Sequence, residues 1–209
     1  TGTVTGIDIG QNSRTKQMHK WGRGQGFCRP TNYSQYEIWN FKGEVDQQDY
    51  RHKRGNWFDM DMAIYDNPDL KGTEWYHTPV KLWHEGTLLT EDSIRCFYGY
   101  PFYKFFAPNE EDQVRRQDGG KTDMYIMREA EAYLVRAEAR VWQGKWQEAA
   151  NDINTIRQRA NAKHMYTAAD VQSEGIGAVL DERNRELYGE EYRHDELVRM
   201  SVIFAKSGK

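Results

Sequence analysis

The sequence predicts a mostly α-helical protein in which residues 123–209 hold the helices and residues 1–122 form an aromatic-rich loop region with a few short strands. Three observations carry this. From Met124 onward, Ile126, Ala130, Tyr133, Leu134, Ala137 and Val141 recur at the spacing of one helix face. Gly144 then interrupts the pattern, and Trp146, Ala149, Ala150, Ile153 and Ile156 resume it. Upstream, no such period holds, yet 20 of the 28 aromatic residues lie before Ala107. That skew places the large rings in the less regular part of the chain.

The elements follow in order. Thr3 to Ile9 reads as a brief strand, and Gly22, Gly24 and Gly26 cluster in a loop. Thr31, after Pro30, is an N-cap for a short helix to about Trp39. On it, Tyr33 and Tyr36 share a face and are expected in the core, as are Trp39 and Phe41. Arg95 to Phe106 reads as one or two strands broken at Gly99 and Pro101. A helix from Met124 ends at Gly144, where a positive φ costs glycine nothing. Its partner runs from about Trp146 to Ala160, and the small residues Ala137, Ala149 and Ala150 allow close antiparallel packing. The hairpin over 124–160 resembles a tetratricopeptide-repeat unit, and Trp142 and Trp146 are expected to pack on neighbouring helices. A third helix covers about Ile176 to Tyr188, with Ile176, Val179, Leu180 and Leu187 inward. A fourth runs from about Tyr192 to Phe204. Between them the charged run beginning DERNRE predicts a salt-bridged surface, with a partly buried Arg–carboxylate network as the alternative.

Composition excludes several functions. The formal net charge of −3 gives no electrostatic reason to expect nucleic acid. Mean hydropathy is −0.96, but the 13% aromatic content argues for a folded chain. No apolar run reaches the length of a membrane span. Cys28 and Cys96 stand at no metal-binding spacing, and a disulfide between them is not expected. GRGQG lacks the spacing and context of a nucleotide fingerprint. Asp59, Asp61 and Asp66 resemble a Ca²⁺ loop without its glycine and distal glutamate, so no metal is expected. His84-Glu85 has no second histidine at helical spacing, which disfavours a zinc hydrolase.

Several stretches, in this order, resemble the C-terminal part of the SusD/RagB family. They are GRGQGFCRPTNY, Asp49 and Arg51 of an Asp-x-Arg motif, YKFF, TDMYIMREAEAYL, YLVRAEARVWQGKWQEAANDINTIRQRA, AVLDERNREL and YRHDELVR. Glu191, Tyr192 and Glu196 depart from the family's usual Gly, His and Asp, and Ser34 and Gln35 replace common aliphatics. The resemblance implies a SusD-like fold and a cell-surface lipoprotein of the Gram-negative outer membrane, its anchor and roughly its first half lying outside this chain. It also implies capture of an oligosaccharide or polysaccharide, and transfer to a SusC-like TonB-dependent transporter, without catalysis or cofactor.

Sugars offer flat C–H faces edged by hydroxyls, so a binder needs exposed rings beside polar side chains. On that chemistry the candidate ligand-binding residues are Trp21, Arg23 and Asn32 near the glycine cluster, Trp57, and the Trp75-Tyr76 pair. Two other functions compete. One is an interaction scaffold that binds a peptide or the transporter alone. The other is a glycoside hydrolase using carboxylates such as Asp59, Glu74 and Glu85.

Overall fold

The structure, a computed structural model, describes residues 3, 4, 7, 8, 30–58, 60–62, 64–79, 83–88, 104, 123 and 125–208. The chain divides into two units. The first comprises residues 1–30 and 54–123, the second 31–53 and 124–209. The segment 31–53 thus belongs with the helices, not with the loop-rich region that surrounds it in sequence.

In the first unit the described elements are short. Strands β1 (Thr3–Val4) and β2 (Ile7–Asp8) form a small antiparallel ladder where one strand was expected. Single 3₁₀ turns occupy Met60–Met62 and Pro68–Leu70. Trp57, Phe58, Met62 and Tyr65 are buried. The strands expected within Arg95 to Phe106, and both cysteines, lie outside the described residues.

The second unit begins with helix α1 (Asn32–Gln35), capped by Thr31, whose hydroxyl accepts the Ser34 N–H at 3.2 Å. A 3₁₀ turn, Glu37–Trp39, leads into a hairpin of β3 (Asn40–Phe41) and β4 (Glu44–Val45). Trp39 and Phe41 are buried, Trp39 stacked on His52 at 4.3 Å and Phe41 edge-on to Tyr166 at 5.0 Å. Tyr33 and Tyr36 correct the expectation of a core position: they are 42% and 52% exposed. Their helix turns its Gln35 and Ile38 side inward instead.

The helical hairpin is α2 (Glu129–Trp142) and α3 (Trp146–Arg159). Glu129 and Glu131 favour the start of α2 through its dipole, and Gly144 takes φ +71° in the turn. Ala137, Val141, Ala149, Ala150 and Ile153 form the core between the two helices, joined by Phe41, Tyr166, Val171, Ala178 and Val179. The stripe began too early, for Ile126 lies before the helix and is fully exposed. Trp142 meets Phe204 edge-on at 5.7 Å, and Trp146 packs against the core.

A helix missed in the sequence, α4 (Ala168–Glu174), starts at a capping box in which Thr167 and Asp170 bond each other's backbone N–H. Lys42 also pairs with Asp170, and this bond first, then that of the Thr167 N–H, holds the Asp170 carboxyl at about 2. Gly175, at φ +57°, separates α4 from α5 (Ile176–Glu186), and α6 (Arg193–Ser207) follows.

The charged run on α5 is not a surface. Glu182, Arg183, Asn184, Arg185 and Glu186 are all buried. The side chain of Glu182 is fully enclosed and accepts from three guanidiniums: Arg51 at 2.8 Å, Arg157 at 3.0 Å and Arg185 at 2.9 Å. Arg51 is also gripped by Asp49, with bonds of 2.9 and 2.6 Å, and reaches Glu186 at 3.0 Å. Arg185 donates to the Ile38 carbonyl at 2.8 Å, and Arg157 to that of His164 at 2.6 Å. Arg128, at the N-cap of α2, and Arg159 on α3 also reach Glu186. The 31–53 segment is therefore fastened to the helices by ions. Burial would push the Glu182 carboxyl up, but Arg51, Arg157 and Arg185 outweigh it and hold it well below the usual carboxylate range.

Removing one member of such a cluster strands the others in a dry site. Glu182→Ala is expected to lower the unfolding free energy by about 3–5 kcal/mol, measured by urea denaturation. Loss of the exposed Arg54–Asp61 pair should cost at most about 1 kcal/mol. The network also sets an acid dependence. Because the folded value for Glu182 lies below its ordinary 4.5, its contribution is complete above that value and is lost as the pH falls. Asp170 acts in the same sense from 3.8 downward. Glu174 and Glu191, raised by burial, oppose this just above 4.5. The urea midpoint should fall between pH of about 5 and about 3, with a shallower fall in Glu182→Gln.

Candidate functional site

In the first unit, residues 64–79 form a loop closed on itself. Ile64 and Pro79 make an antiparallel bridge at its base. The Tyr65 N–H donates to the Thr78 carbonyl at 3.0 Å, and the His77 N–H to the Tyr65 carbonyl at 2.9 Å. Asn67 caps the turn that follows it, its side-chain oxygen accepting the Asp69 N–H at 3.1 Å, and Pro68 supplies a fixed φ at the first position. Thr73 donates its hydroxyl to the Leu70 carbonyl at 2.7 Å, and Thr78 donates to that of Trp75 at 2.8 Å. The loop is thus closed across Tyr65, His77 and Thr78 by backbone bonds and turned locally by the hydroxyls of Thr73 and Thr78.

The returning limb of the loop carries the rings. Trp75 and Tyr76 are half-buried. Trp75 meets the wholly buried Tyr65 edge-on, with centroids 5.5 Å apart and planes at 70°. Tyr76 stacks on His77 at 3.9 Å, and the His77 Nε2 lies 3.1 Å from Asp66 Oδ1. His77 takes φ +63°, in the left-handed region that His, Asn and Asp enter more readily than other side chains. There it lies against both Asp66 and Tyr76. Glu74 is exposed. The arrangement offers flat apolar ring surface with a carboxylate, an imidazole and a second carboxylate nearby. It suits a ligand that presents both C–H faces and hydroxyl groups.

The six residues expected at a site have different fates. Trp75 and Tyr76 come together on this loop. Trp57 is 6% exposed, buried alongside Phe58, so its ring face is unavailable as an open platform. Asn32 is exposed on α1, in the other unit. Trp21 and Arg23 lie outside the described residues. Sequence reasoning missed Tyr65, Asp66 and His77 as the supports of the pair. The Asn67-Pro68 turn was the available signal, since that dipeptide starts turns.

Two acidic residues of this unit have basic side chains as partners. Asp61 accepts two bonds of 3.0 Å from Arg54, and Asp66 faces His77. Among the described residues, no group of three or more His, Cys, Asp or Glu side chains converges to hold a metal ion. Nor, among them, is any helix long and apolar enough to cross a membrane.

Comparison with known proteins bears on what these two units are. "Starch-binding protein SusD" of Bacteroides thetaiotaomicron is 41% identical over 82 residues, a stretch that covers 39% of this chain and 14% of that protein. The chain thus aligns with a small part of that relative's length. No solved structure gives a significant match. The model of the SusD family matches residues 6–208. That match runs through the loop-rich unit and the ion-fastened helices alike, and the chain belongs to the SusD family.

Proposed function

We propose that this protein captures glycans at a bacterial cell surface without cleaving them and passes oligosaccharides to a SusC-like TonB-dependent transporter in the outer membrane. The observation that carries the reading is the closed 64–79 loop with Trp75 and Tyr76 on its returning limb. Pyranose rings stack their C–H faces on aromatic side chains, and their hydroxyls seek carboxylates and imidazoles at the edges. Pre-formed loops limit the ordering cost of such binding. Membership of the SusD family and the likeness to a starch-binding relative support the same class of ligand. A glycosidase needs two carboxyl groups facing one bond; of the carboxylates named for that alternative, Asp59 lies outside the described residues, and Glu74 and Glu85 are exposed.

Electrophoresis of the chain through gels containing soluble starch, xylan or mannan, with an assay for new reducing ends, tests the proposal. Retardation in at least one gel without new reducing ends is expected. Cleavage would make the protein a hydrolase, and free migration in every gel would favour a scaffold for another macromolecule.

Two tryptophans separate binding from folding. Trp75→Ala should abolish most of the retardation with only a modest fall in melting temperature. Trp57→Ala should instead destabilise the protein by about 3–5 kcal/mol, because its side chain is buried. Equal retardation of Trp75→Ala and the parent would remove the loop from the binding surface.

A further inference from the structure

We propose that the second unit carries its own saccharide contact, built on Tyr33 and edged by Asp181, Asn32 and Arg193. This rests on the reading of the ligand as a glycan, but it concerns a different surface from the 64–79 loop.

Tyr33 is unusual among exposed rings because it is fastened at both ends. Its backbone sits in α1, behind the Thr31 cap. The next residue, Ser34, shares a bond of 3.0 Å with the Asn184 side-chain amide on α5. At the far end, the Tyr33 hydroxyl donates to Asp181 Oδ1 at 2.6 Å. A surface tyrosine ordinarily loses rotamer freedom on binding, and this one has already lost it on folding. The ring nonetheless remains 42% exposed, and Tyr36, one turn further on, is 52% exposed. Burial first, and then the bond to Asp181, push the Tyr33 phenol above its ordinary value, so it stays a donor across the physiological range.

The rim is polar. Asn32, the residue before Tyr33 on α1, is exposed. Asp181, whose Oδ1 accepts from Tyr33, is half-buried. Arg193 donates to the Leu180 carbonyl at 2.9 Å and lies within electrostatic reach of Asp181 and Tyr33. A protein partner would favour an apolar centre depleted of charge. A rigid ring with an amide, a carboxylate and a guanidinium at its edge suits a neutral polyhydroxylated ring instead.

The test uses the 209-residue chain with fluorotyrosine at every tyrosine, titrated with maltoheptaose, xylohexaose, cellohexaose and mannohexaose. The signals of Tyr33 and Tyr76 are assigned from Tyr33→Phe and Tyr76→Phe. The expected result is a saturable shift of the Tyr33 signal with at least one oligosaccharide, with Asp181→Asn weakening that titration about 3- to 10-fold. A shift at Tyr76 with none at Tyr33 would overturn this inference and leave the proposed function standing. Silence at both tyrosines with all four sugars would overturn both.

Discussion

A carboxylate removed from water needs compensation from every side, and Glu182 receives it from Arg51, Arg157 and Arg185. Those three cations come from the 31–53 segment, from α3 and from α5 itself, so their convergence defines how the pieces of the helical unit dock. Apolar packing between α2 and α3 is close but non-directional. Bidentate ionic bonds are directional. Asp49 holds Arg51 by two bonds, and Arg51 can meet Glu182 and Glu186 in only one orientation. Buried ion pairs contribute little net stability over an apolar equivalent, but they penalise misalignment heavily. In this unit they act as a register.

Much of the helical unit was legible in the sequence because helices report themselves locally. The apolar stripe through Leu134, Ala137 and Val141, the break at Gly144 and the cap at Thr31 each depend on neighbours a few residues away. The burial of DERNRE was not legible in this way. A run of alternating charge on a helix satisfies itself equally well in solvent, and only Arg51 and Arg157, distant in sequence, decide otherwise. Tyr33 and Tyr36 were misjudged for a related reason. Four residues of helix do not define an inward face, and the choice fell to the Gln35 and Ile38 side.

The loop-rich unit follows a different logic. Two of its tryptophans look alike in sequence, each preceded by a polar residue and followed by an aromatic one in the pairs Trp57-Phe58 and Trp75-Tyr76, yet Trp57 is buried and Trp75 only half-buried. Around Trp75 the Ile64–Pro79 bridge and the Tyr65–Thr78 bond close the backbone so that residues 75–77 lie against Tyr65. No periodicity announces such a loop. The binding proposal therefore depends on hydrogen bonds between backbone groups that every residue possesses, which composition does not report.

The division of the helical unit into two stretches of sequence has a bearing on how it is made. Arg51 meets Glu182 at a sequence separation of 131, and the whole of residues 54–123 must be threaded between them. On a ribosome, Asp49 and Arg51 emerge long before α5 exists, and Trp39 and Phe41 emerge with them. Contacts so distant along the chain are slow to close. The early segment must wait in an unpaired, partly apolar state until α5 has been released, an interval in which a holding chaperone would be most useful.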